Sequence, residues 1–178
     1  MLADWGIEED EPKGLGNYPV KTGVVNKKEG MKMKWVTREH PKTDRIACPW
    51  LIKKFIDPDA EILYVPREQV VEVARREGGK SFDCEGADYG HREGKCTFEV
   101  LVEEYGIQDE ALQYMARIVH GADVRADRDI TPESRGLLAI AEGFHLLGLD
   151  DYESLRLQMP VYDALYRWCQ ERVKGQDQ

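Results

Sequence analysis

The sequence predicts an α+β fold: a small sheet with crossing helices, followed by a mainly helical C-terminal half. Two observations carry this. Three short strand-like runs, "KWVTR", "EILYV" and "KSFDC", alternate with helix-like segments between Lys34 and Cys84. From Cys96 onward the apolar residues recur only at helical spacing. A chain of 178 residues fits one domain. That domain is assigned to residues 34–175, after an acidic, glycine-bearing tail over residues 1–33 with little apolar periodicity.

The elements follow in order. After the first strand, Lys34 to Arg38, comes "EHPKTDRIACPWLIKKFIDPDA", a helix ended by Asp57-Pro58. Pro49 is tolerated only in a first turn, which predicts that the helix proper begins near Ala47 or Cys48. Glu61 to Val65 is the second strand. "PREQVVEVARREGG" is a helix opened by proline and closed by glycine. "KSFDC" is the third strand and leads into the loop "EGADYGHREGK". Then come "TFEVLVEEYG", an Asp109-capped helix with the stripe Leu112, Met115, Ile118, Val119 and Ala122, and a Thr131-Pro132 helix start. The last helix carries Met159, Tyr162, Leu165, Tyr166 and Cys169 as a packing stripe, and Pro160 is expected to kink it.

Composition removes several function classes. The chain is 42% hydrophobic and 33% charged, with a net charge of −9. Such an acidic chain is a poor partner for nucleic-acid phosphates. No apolar run reaches the roughly 18–20 residues that span a membrane, and the acidic N-terminus does not read as a secretory signal. A cytoplasmic location is expected. Its four cysteines form no CxxC pair, which argues against disulfides and a zinc ribbon.

Three clusters carry candidate chemistry. In "TREHPKTDRIACPW", Arg38, Lys42 and Arg45 can hold an oxyanion, with Glu39, His40 and Asp44 to orient them. The alternative is a strand-to-helix connection with surface ion pairs. Cys48, near a helix start, is either a thiol of lowered pKa or a buried, inert cysteine. In "FDCEGADYGHREGKCTFE", Asp83, His91 and Cys96 lie at strand and helix ends, where sites are commonly built. Glu99, three residues after Cys96, has capping-box spacing and hence a structural explanation. In "IVHGAD", His120 and Asp123 share a helix face. They are either metal ligands or a helix C-terminus in which Gly121 loosens the last turn. Glu142 and His145 repeat the same spacing. Asp83, His91, His120 and Asp123 together make a candidate set for a divalent zinc, iron or manganese ion.

The motifs "TDRIACPWLIKKFIDP", "FDCEGADYGHREGKCTFE", "IVHGAD" and "VYDALYRWC" together resemble the C-terminal domain of ChrB-type chromate-resistance proteins, from Trp35 to Cys169. The resemblance implies a role beside chromate transport, with chromate as a candidate small-anion partner, and a stand-alone version without the DNA-binding N-terminal part of full-length members. It singles out Arg38, Asp44, Arg45, Cys48, Trp50, Asp83, His91, Cys96 and Asp123. His40 departs from it, standing where arginine is expected. Three functions compete: a metal-binding, oxyanion-sensing or stress-response domain; a metal- or thiol-dependent enzyme acting on a small anion; and a partner-binding module of a resistance system.

Overall fold

The computed structural model describes residues 32–175. Nearly all of the segment read as a tail lies outside that range. Strands Lys34–Arg38 (β1), Glu61–Val65 (β2) and Lys80–Ser81 (β3) form a parallel sheet in the order β2-β1-β3. Helices Thr43–Leu51 (α1) and Val70–Glu77 (α2) make the two crossovers. Thr97–Glu104 (α3), Glu110–Asp123 (α4), Pro132–Leu146 (α5) and Asp151–Lys174 (α6) form the helical half. This is the α+β architecture expected from the sequence.

Side chains on a strand alternate between faces. Trp35 of β1 joins the large core built with α1, α3, α4 and α6, while Val36 packs with Val70, Val73 and Ala74 of α2. The two crossovers therefore cover opposite faces of the sheet. The chain reverses direction of travel across the sheet at β1, so a crevice opens at the carboxyl ends of β1 and β3, where open α/β sheets bind ligands.

Two sequence expectations need correction. Helix α1 begins at Thr43, four residues earlier than Pro49 was expected to allow, and holds Pro49 in its interior. Proline has no N–H to offer the carbonyl four residues back. That carbonyl, on Arg45, instead accepts the Tyr64 hydroxyl from β2 at 2.8 Å. The last turn then widens into a π-helical segment, Ile52–Ile56, closed by Asp57 N–H on the Ile52 carbonyl at 2.7 Å. The third strand is also shorter than "KSFDC". Phe82 N–H still reaches the Val36 carbonyl at 3.0 Å, but Asp83 turns into the left-handed region at φ 50° and ends the ladder.

Helix α4 is the hub of the helical half. Its Leu112, Met115, Ile118 and Val119 are fully buried, and Asp109 caps it by accepting Leu112 N–H at 2.7 Å. Helix α6 runs through Pro160 as one element. It fixes α1 at two points and the turn before it at a third: the Tyr162 hydroxyl donates to the Thr43 carbonyl at 3.2 Å, Asp163 accepts Trp50 Nε1–H at 2.8 Å, and Asp151 accepts His40 N–H at 3.1 Å. None of the described helices is long and apolar enough to cross a membrane.

Gly121 does not loosen α4. It lies inside the helix, and a Cβ there would sit 2.3 Å from Ser134 Oγ and 2.7 Å from Ile130 Cγ2. The glycine lets α5 and the turn before it approach. Gly121→Ala should therefore destabilise the domain by about 1–3 kcal/mol through overpacking, despite alanine's better helix propensity. Urea denaturation checks this, and an unchanged or higher midpoint refutes the close-packing role.

Candidate metal and oxyanion site

The crevice gathers residues from five segments. Arg38 ends β1, Asp44 and Arg45 lie in the first turn of α1, and Asp83 follows β3. His91 comes from the loop before α3, and Asp123 is the last residue of α4. Three carboxylates converge on one imidazole nitrogen. His91 Nε2 lies 3.1 Å from Asp123 Oδ2, 3.4 Å from Asp44 Oδ2 and 3.5 Å from Asp83 Oδ1. The helix start of α3 holds two of these carboxylates in place. Thr97 N–H donates to Asp44 Oδ2 at 2.6 Å, and the Thr97 hydroxyl donates to Asp83 Oδ1 at 3.0 Å. An unpaired helix N–H with the dipole behind it favours a carboxylate. Both guanidiniums, of Arg38 and Arg45, stand 3.7 Å from the other oxygen of Asp83.

The electrostatics follow from this crowding. Burial pushes the Asp44 carboxyl up to about 7; proximity to His91 opposes the shift, while Asp123 and Asp83 add to it. The carboxylates of Asp123, Asp44 and Asp83, in that order, raise the His91 imidazole to about 12 against its loss of solvation. Burial pulls the Arg45 guanidinium down from its ordinary value.

Asp44 Oδ1, Arg38 Nε and Arg45 Nε are buried with no hydrogen-bond partner among the described residues. Buried polar atoms are nearly always paired, so three orphans in one crevice mark a place with unmet donor and acceptor capacity. One donor atom each from Asp44, His91 and Asp123 lies within 4.8 Å of the other two. Two carboxylates and one imidazole are a donor set suited to zinc, iron or manganese. Beside them a cavity of about 540 Å³ is lined by Arg38, Arg67, Asp83, His91 and Arg92, among others.

Residues 35–169 match the family described as ChrB, C-terminal domain. The chain belongs to that family. It is 34% identical over 164 residues to Protein ChrB of Cupriavidus metallidurans, an alignment covering 90% of this chain and 47% of that protein. The chain thus spans about half the length of this curated relative. No solved structure matches it.

Within this ChrB C-terminal domain, the sequence-derived candidates separate. Asp83, His91 and Asp123 come together, and Arg38 and Arg45 join them through Asp83. His120 does not. It belongs to a second cluster, with Glu99 Oε2 2.6 Å from Nδ1 and Asp127 Oδ2 3.0 Å from Nε2. Cys96 and Glu99 form the capping box of α3, with Cys96 N–H donating to Glu99 Oε2 at 2.9 Å. Lys42 is exposed at the N-cap of α1. His40 contributes backbone alone: at φ 57° its N–H reaches Asp151 and its carbonyl accepts from Arg45 at 3.1 Å. Cys48 is fully buried, and burial raises its thiol well above the ordinary range, opposite to the lowered pKa offered by its helix-start position. Glu142 and His145 are both exposed on α5.

Three features escaped the sequence. Asp44 sits in the carboxylate cluster itself, where it had been given an orienting role. Thr97 links two aspartates, and Arg67 and Arg92 line the cavity. Thr97 could have been found as the first helical residue after a cap, whose N–H always needs a partner.

The charge balance yields a pH prediction for chelator-treated protein. Folded His91 keeps its proton to about 12, against 6.5 for the free side chain. Its contribution to stability is therefore full below pH 6.5 and fades as pH rises toward 12. The stability gap between the parent protein and His91→Gln should be widest at mildly acidic pH and shrink steadily on the alkaline side. Denaturant titrations across that range measure it, and a pH-independent gap refutes the imidazolium role.

Proposed function

We propose that this domain is a metal-binding oxyanion sensor of a chromate-resistance response. The observation that carries the reading is the convergence of Asp44, Asp83 and Asp123 on His91, with one Asp44 oxygen buried and unpaired. Asp44, His91 and Asp123 would hold a divalent cation, and Asp83 would remain the counter-charge of Arg38 and Arg45. The cation supplies positive charge that helps attract an anion. Arg38 and Arg45 orient that anion, and their unpaired Nε–H groups provide the charge-assisted donors. Chromate is the anion proposed from the family. His91 lies on the loop between β3 and α3, so its engagement couples the site to that loop's position.

A second reading, a metal-dependent enzyme acting on a small anionic substrate, is favoured by the cavity. Its volume of about 540 Å³ falls within the roughly 300–1,000 Å³ of small-molecule sites, more than a bare tetrahedral anion needs. Nucleophilic chemistry by Cys48 or Cys96 as a free thiol is disfavoured, because burial raises both.

Two measurements test the sensor. Elemental analysis and calorimetry with zinc, iron(II) and manganese should show binding that Asp44→Asn weakens by more than about tenfold. Metal affinity unaffected by that change would remove Asp44 from the site. Titration with chromate and sulfate should show binding that Arg45→Ala weakens by about tenfold or more, equivalent to at least about 1.4 kcal/mol. Equal anion binding by parent and variant would remove the oxyanion role of Arg45.

A further inference from the structure

The second cluster lies one helical turn along α4 from Asp123, and the proposed sensor does not use it. Cys96 comes from the N-cap of α3, Glu99 from its first turn, and His120 from α4. One donor atom from each, sulfur, carboxylate oxygen and imidazole nitrogen, lies within 4.8 Å of the other two. In a tetrahedral zinc site, sulfur, nitrogen and oxygen ligands stand roughly 3.3–3.6 Å apart. Ligation would require Glu99 and His120 to move apart from their 2.6 Å contact.

His120 carries the more specific signature. Its Nδ1 faces Glu99 Oε2 at 2.6 Å, and its Nε2 faces Asp127 Oδ2 at 3.0 Å. A metal-ligating histidine nearly always gives its other ring N–H to a carboxylate, a backbone carbonyl or a water, which fixes the tautomer and orients the ring. Asp127, on the short 3₁₀ turn Arg125–Asp127, is in the place of that orienting carboxylate. His120 itself is only 6% exposed, so its ring is held by packing as well. One of the three donors also borders open space. Glu99 lines a separate cavity of about 330 Å³ between α3 and α4, together with Val102, Gly106, Gln113 and Ala116.

We propose that Cys96 Sγ, Glu99 and His120 Nδ1 form a second metal site, selective for zinc, with Asp127 orienting His120. A thiolate beside imidazole and carboxylate prefers zinc, whereas the sulfur-free set around His91 accepts harder cations. Binding takes the Cys96 thiol to thiolate and displaces the proton held between His120 Nδ1 and Glu99; both protons leave to solvent, and the imidazole keeps the one on Nε2, toward Asp127. The site shares no donor residue with the proposed sensor.

Cobalt(II) is the probe, added to the reduced, chelator-stripped full chain. The expected result is a thiolate-to-cobalt charge-transfer absorption in the near ultraviolet that saturates at one equivalent and is reversed by zinc. Cys96→Ser should abolish that band, and His120→Ala should weaken cobalt binding at this site by about tenfold or more. Cys84→Ser should leave the band intact. Asp44→Asn should remove only a cobalt equivalent that lacks the band, so failure of the sensor site and failure of this one read differently. Because Cys96 also caps α3, the parent spectrum decides: a parent protein that binds cobalt without a thiolate band, or binds none, overturns the proposal. A band that survives in folded Cys96→Ser overturns it too.

Discussion

A buried carboxylate must be answered inside the protein, and Asp44 is answered by the backbone N–H of Thr97 at 2.6 Å. That bond joins the first turn of α1 to the first turn of α3. The Thr97 hydroxyl extends the link to Asp83 at the end of the β3 connection. Without the Thr97 N–H, Asp44 would keep only the more distant His91 Nε2, at 3.4 Å from Oδ2, since Oδ1 already lacks a donor. The same placement of α3 positions Cys96 and Glu99 against α4, and α4 in turn delivers His120 and Asp123. Both candidate clusters therefore hang on one helix start.

The crevice also concentrates opposed charges. Asp44, Asp83 and Asp123 repel one another, while His91, Arg38 and Arg45 offset them at 3.1 to 3.7 Å. Pairing at such distances in a partly buried place does little for net stability, because desolvation consumes most of the attraction. An arrangement of this kind is easier to understand as readiness for a charged ligand than as a device for holding the fold together.

Much of this was legible in the sequence, and the failures have physical reasons. The strands and most helix starts carry local signals: Asp109 and Thr131 are side-chain caps, and Gly78 closes α2 at φ 63°. Arg38, Asp83, His91 and Asp123 stand out because they lie at strand and helix ends and in the loop between them, where sites are commonly built. The start of α1 was misplaced because its interior proline is rescued by Tyr64, a partner 19 residues away. Grouping His120 with His91 failed because spacing along α4 cannot say which neighbour each turn faces: His120 looks toward α3 and Asp127, Asp123 toward the loop. The role of Asp44 depends on a bond across 53 residues, which no local pattern encodes.

Helix α6 supplies none of the donor atoms of either cluster, yet it holds the segment that presents Asp44 and Arg45. Its bonds to His40, Trp50 and Thr43 span 111, 113 and 119 residues. During synthesis α6 leaves the ribosome after every donor residue has emerged. Until then the start of α1 lacks its clamps, and the donors of the crevice sit on a chain whose geometry is unset. In the proposed site the donor geometry would thus be set late, as α6 docks, and a nascent chain would offer loose carboxylates and imidazoles to any passing cation.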